Sequence, residues 1–189
     1  FANDNLHFSL YMCDNETLNA TLHPVRRNAV GSMDFGGSAL NKFYGADNKH
    51  GTKRRTSDVF ALATAVLFQS AVQHFALAPN NMTDAPAWAV EFMKNVPTTW
   101  DDVKFIAGYP GKYIVVARRC GDRWMVAGIN AQREPLKLKL AVPMFAAGSA
   151  LKVYADNAAL EGAVKTVKLS KKQLLDVTIP CNGGLVVCE

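Results

Sequence analysis

Eight short apolar segments separated by turn residues fill the second half of this chain, and that spacing constrains its fold more than any other feature. They lie near 102–107, 112–118, 123–129, 135–141, 150–155, 163–169, 173–179 and 184–188. Leu136, Leu138 and Leu140 alternate with Lys137 and Lys139, and Leu175, Val177 and Ile179 repeat the period of two. Such alternation places one side chain in two against a core, as a half-buried strand requires. Tyr109-Pro-Gly111, Cys120-Gly-Asp122 and Asn182-Gly-Gly184 supply turn chemistry between the segments. Many short strands at this spacing predict an antiparallel β-sandwich that folds by itself.

The first half follows another rule. Residues 1–55 are rich in Asn, Asp and Gly and read as irregular, apart from a short buried strand at Asn28–Phe35. A helix follows over about 56–71. Thr56 or Ser57 caps it, and Asp58 lies in the first turn, where the helix dipole favours an anion. Val72–Ala76 reads as a second strand. Asp84 opens a second helix, with Trp88, Ala89, Phe92, Met93 and Val96 on its apolar face and Pro97 after it. Strand, helix, strand, helix is the order of a parallel βαβα unit. Two parallel strands alone leave unpaired edges that soluble proteins avoid. The expectation is therefore a part of a larger α/β unit over residues 1–97 and a sandwich over 98–189.

The net charge of +5 lies in the strands: from Trp100 onward stand 13 of the 21 basic residues and 8 of the 16 acidic ones. These lysines alternate with apolar residues, so they read as solvated strand faces and no nucleic-acid partner is expected. No apolar run approaches the roughly 20 residues of a spanning helix, and no secretory leader is visible at the start. Cys13, Cys120, Cys181 and Cys188 show no ligand spacing, so no metal site is expected from them.

No phosphate-binding loop, dinucleotide fingerprint, zinc-protease or serine-hydrolase motif occurs. Asp34 ends the 28–35 strand just before Phe35-Gly-Gly. In a βα-barrel that rim carries the active site, whereas elsewhere an Asp there simply forms a turn. His74 lies in the second strand, as a pocket residue or as a hydrogen-bonded structural histidine. Glycoside hydrolysis calls for two carboxyl groups flanking one bond, and the spacing of acidic residues in the first half singles out no pair.

Several segments in order resemble the C-terminal part of glycoside hydrolase family 97: Arg27-Asn-Ala-Val-Gly-Ser-Met-Asp-Phe35, Thr56-Ser-Asp58, Gln73-His-Phe75, Val96-Pro-Thr-Thr-Trp-Asp101, Gly108-Tyr-Pro-Gly-Lys112 and Asn182-Gly-Gly184. The resemblance runs from about Leu22 to the end. It implies bacterial, periplasmic or extracellular α-glucosidases and α-galactosidases. These join an N-terminal β-supersandwich, a central (β/α)8 barrel and a C-terminal β-domain, and hold calcium through glutamates. On that resemblance the fold class is α+β in several parts: the last βαβα units of a (β/α)8 barrel, then an antiparallel β-sandwich. The parent reaction is hydrolysis of terminal α-glycosidic bonds, with a carbohydrate substrate. The calcium ligands lie upstream, and none is expected among the residues of this chain. The family's general acid is a glutamate shortly before the 28–35 strand; Asp4, one methylene shorter, stands nearest that place. Asp34 and His74 become substrate-binding candidates. The chain alone is expected to be inactive. The alternative reading is a non-catalytic sandwich serving in homo-oligomer contacts or carbohydrate binding.

Overall fold

The computed structural model describes residues 10–35, 40, 42–43, 49–75 and 84–189, and for Leu10–Asp14 the backbone alone. The described residues hold three helices, α1 (Leu10–Leu22), α2 (Asp58–Leu67) and α3 (Ala87–Asn95). Eight strands follow: β1 (Asp102–Tyr109), β2 (Tyr113–Cys120), β3 (Arg123–Asn130), β4 (Leu136–Ala141), β5 (Ala150–Asp156), β6 (Gly162–Lys168), β7 (Leu174–Ile179) and β8 (Gly184–Cys188). Their bounds fall within two residues of the segments expected from alternation. A six-stranded sheet runs β1-β2-β3-β8-β5-β6, and a two-stranded sheet pairs β4 with β7. All ladder pairings are antiparallel.

The larger sheet is the middle layer of three. Successive side chains of its strands enter two different cores, as the pleat demands. Ile114, Val116, Met125, Ala127, Ile129 and Val186 pack with the helices. Val115, Ala117, Val126, Leu151, Val153 and Val187 pack with Leu140, Phe145, Leu175 and Ile179 from the β4–β7 side. The central strand β8 is covered on both faces, so all five of its residues are buried. β4 and β7 are covered on one face only. Lys139 and Asp176, paired across them at 3.8 Å, stand in solvent.

Helix α2 explains why the helices and the sheet share one core. Its sequence DVFALATAVL has no polar face, and every residue after Asp58 is buried. A helix apolar on all sides must be covered on all sides. It lies across β3 and β8. One face of the larger sheet is therefore covered by residues before 98.

Two expectations for the first half change. The irregular 1–55 stretch contains α1, whose buried side carries Glu16, Thr17, Ala20 and Thr21. Among the described residues, which do not include Ala76, the strands expected at 28–35 and 72–76 give one isolated parallel bridge, Phe35 to Gln73, with His74 N–H donating to the Phe35 carbonyl at 3.0 Å. With no strand paired on either flank among the described residues, two parallel segments gain too few ladder bonds to extend. The bridge nevertheless has the parallel sense that the βαβ order predicts.

Candidate functional site

Two of the quoted motifs meet where α2 enters the sheet. Ser57 is the N-cap of α2: its hydroxyl accepts from the Phe60 amide at 2.9 Å. The same hydroxyl donates to Asp156 Oδ2 at 2.5 Å, and the Gly184 amide donates to that oxygen at 2.8 Å. The Ser57 amide donates to the Asn182 carbonyl at 3.2 Å. Thr56-Ser-Asp58 and Asn182-Gly-Gly184 are thus the two halves of one joint, closed by a carboxylate from the end of β5. Gly184 makes the approach possible, because a Cβ there would sit 2.5–2.6 Å from backbone atoms of Val59 and Phe60. Asn130 holds the other side of the turn, its amide nitrogen donating to the Ile179 carbonyl at 3.0 Å.

Burial dominates the electrostatics of this joint. Asp156 is buried and its carboxyl is pushed up to about 6, chiefly by desolvation, against the lowering effect of the Gly184 and Ser57 hydrogen bonds. Its Oδ1 is buried with no hydrogen-bond partner. Burial also raises the Glu16 carboxyl, opposed by the Arg54 charge and by hydrogen bonds from the Thr56 hydroxyl at 3.3 Å. Arg54 pairs with Asp58 and donates through Nε to the Thr56 carbonyl at 3.0 Å. At the far end of α2, the buried Arg118 of β2 donates to the Leu67 carbonyl at 3.0 Å and satisfies one of the helix's open carbonyls. Asp156 and Arg118 thus fasten α2 to the sheet, and Glu16 fastens α1 to the segment that leads into α2.

The residues expected to meet substrate are arranged differently. Asp34 and His74 flank the Phe35–Gln73 bridge and both are exposed. Phe35 itself is buried, edge-on to Phe68 and Phe75. The bridge thus brings the two candidates to neighbouring segments of one surface. Neither lines a described cleft: one cleft lies between α3 and the ends of β3, β5 and β8, the other beside Arg55, Arg133 and Asn182. Asp4 lies outside the described residues. Among the described residues no three His, Cys, Asp or Glu side chains converge as metal ligands. Cys120, Cys181 and Cys188 are free thiols. No helix of the described residues is long and apolar enough to cross a membrane. Sequence reasoning missed Asp156 and Glu16, because nothing in their local pattern distinguishes a buried acid from a solvated one.

Comparison with known proteins gives the joint its context. Residues 99–188 match the family described as glycosyl-hydrolase 97 C-terminal, oligomerisation. Over 117 residues the chain is 34% identical to a probable retaining alpha-galactosidase of Streptomyces bingchenggensis, covering 62% of this chain and 17% of that protein. Over 115 residues it is 32% identical to a retaining alpha-galactosidase of Bacteroides thetaiotaomicron, covering 57% and 16%. A crystal structure of a beta-arabinopyranosidase superposes on all of this chain with TM-score 0.94 and 49% identity, the match covering 30% of that protein. A family 97 enzyme from Pseudoalteromonas sp. strain K8, solved with acarbose, shares the fold over 91% of this chain and 28% of its own, with TM-score 0.77 at 21% identity. The chain therefore spans about a sixth of the curated relatives it matches and under a third of these solved structures. Residues 99–188 are a C-terminal domain of glycoside hydrolase family 97, and the chain is a C-terminal part of a protein of that family.

Proposed function

We propose that the protein to which this chain belongs hydrolyses terminal α-glycosidic bonds, with galactose-configured sugars as its substrates. The observation that carries this reading is the match to a beta-arabinopyranosidase over the whole chain at 49% identity. The curated relatives are named as alpha-galactosidases. Where the arabinose is the L sugar the two names describe one stereochemistry, since a β-L-arabinopyranoside is an α-D-galactopyranoside without its hydroxymethyl group. A glucoside differs from both at the C4 hydroxyl. On this reading residues 1–97 form the last strand–helix units of a (β/α)8 barrel, and the Phe35–Gln73 bridge is the remnant of two of its parallel strands. Asp34 and His74 then stand near strand ends, where a barrel gathers substrate groups. In sequence, Asp4 stands nearest the place of the general acid. Any calcium is held by residues outside the described part, and the protein works in the periplasm or outside the cell. Retention of configuration, named for both curated relatives, would need two carboxyl groups about 5 Å apart across the bond.

The sandwich has a second role on this reading, which the family's description suggests: it holds copies of the protein together. The longer protein should cleave aryl α-galactoside and aryl β-L-arabinopyranoside and leave aryl α-glucoside largely untouched. Preference for the glucoside would overturn the galactose assignment, and inactivity on all three would overturn the hydrolase reading.

A further inference from the structure

The two edges of the six-stranded sheet are finished in opposite ways. An open edge strand is a template for pairing, and soluble proteins blunt it with lysines and short length. β6 follows that rule: Lys165 and Lys168 are exposed on it, together with Thr166. β1 does not. Val103, Phe105 and Tyr109 stand 56, 63 and 64% exposed along this eight-residue strand. Lys104, its one lysine, leans over the Trp124 ring with Nζ 4.8 Å from the centroid. Lys104 is exposed, with its charge over a ring of its own sheet.

Register shows what the exposed side chains belong to. Val103 pairs with Arg118 and Phe105 with Val116. Arg118 and Val116 are buried beneath the helices. Val103 and Phe105 therefore extend that apolar face one strand outward, past the reach of the described helices. The register shift after Phe105 and the positive φ of Gly108 then turn the strand's end, leaving Tyr109 under Lys112. Apolar side chains in a row at an open sheet edge mark a contact surface more than a solvated one.

We infer that β1 is the strand through which a second copy of this chain docks. The inference rests on the reading of the sandwich as a unit of oligomerisation, and it names the surface that performs it. A second copy is the fitting occupant because the domain's family is described by oligomerisation, and because one apolar patch turned about a two-fold axis meets itself. Phe105 and Val103 lie at the centre of that contact. Tyr109, amphipathic and carrying the Lys112 cation on its ring, lies toward its rim.

Sedimentation velocity on the full chain over a range of concentrations tests this. The wild type should self-associate reversibly. Val103→Lys/Phe105→Lys should weaken self-affinity roughly tenfold or more, as loss of a central apolar anchor does, with circular dichroism and thermal midpoint unchanged. Val72→Lys, at another exposed apolar residue away from β1, should leave association as it was. Hydrogen exchange on the wild type gives an answer even if the double variant misfolds: the β1 amides should slow as concentration rises while those of β6 do not. A chain monomeric at every concentration would overturn the oligomerisation reading and this inference with it. Association unchanged by a folded double variant, or concentration-dependent protection confined to other strands, would overturn the β1 assignment alone. So would β1 amides that are protected independently of concentration in a monomeric longer protein, since an internal segment would then be the occupant.

Discussion

Asp156 shows how much a single buried acid decides at this joint. Its carboxyl is raised from 3.8 to about 6 in the folded chain, with desolvation as the largest cause. The folded state therefore holds this proton more tightly than the unfolded chain does. Stability from this group is fully present below about pH 4 and is lost as pH rises through about 6. The loss approaches about 3 kcal/mol, since each tenfold change in proton affinity is worth about 1.4 kcal/mol. An Asp156→Asn variant keeps an acceptor for Ser57 and Gly184 but cannot ionise. Urea midpoints at pH 4.5 and 7.5 should fall with pH in the wild type and fall distinctly less in the variant. Equal falls in both would place the titration elsewhere, with Glu16, raised in the same sense, the next group to vary. The parts of this joint were legible as types: Ser57 as a cap, Asp58 in a first turn, Asn182-Gly-Gly184 as a turn. Their meeting was not, because the 28 residues from Asp156 to Gly184 and the 99 from Ser57 to Asp156 carry no local sign of contact.

Among the elements, the strands were legible almost to the residue and the helices only in part. A strand with one wet face writes its burial into every second position, and β4 and β7 do so with Lys and Leu. Helix α2 was found from its caps and its apolar length. Helix α1 was missed because its inward side holds Glu16, Thr17 and Thr21, where pattern reading looks for an apolar stripe. Its polar side chains are matched in space instead, Glu16 by Thr56 and Thr21 by the Gly111 amide at 3.0 Å. The dependence of the sheet on α2 bears on dissection of the chain. Residues 98–189 alone keep the β4–β7 core and lose the cover of Ile114, Val116, Met125, Ala127, Ile129 and Val186. Several fully exposed aliphatic side chains, at about 1.5–3 kcal/mol each, exceed much of the 5–15 kcal/mol by which a domain is stable. The fragment should bind a hydrophobic dye, associate, and melt without cooperativity, while the full chain melts as one unit. A monomeric fragment with a sharp transition would show that β4 and β7 stabilise the sheet without help.

At the scale of the whole molecule, the carboxyl groups singled out above stand in two settings. Glu16 and Asp156 are buried and accept hydrogen bonds from the Thr56 and Ser57 hydroxyls. Asp34 is exposed beside a single parallel bridge. Cleavage of a glycosidic bond with either stereochemical outcome needs two carboxyl groups fixed on opposite sides of one sugar, about 5 Å or about 6.5–9.5 Å apart. A barrel supplies them from the ends of several strands held by their neighbours. Here the one parallel contact, Phe35 to Gln73, has no paired flanks among the described residues, and proximity becomes rate only where groups are held rigidly in place. Purified chain, incubated with aryl α-galactoside and aryl β-L-arabinopyranoside with and without calcium, should release no aglycone above the spontaneous rate. Mixing it with a separately produced upstream part of the longer protein should restore turnover if the helix layer reassembles. Turnover by the chain alone that vanishes in an Asp34→Asn variant would reverse the conclusion and place a complete site on this surface.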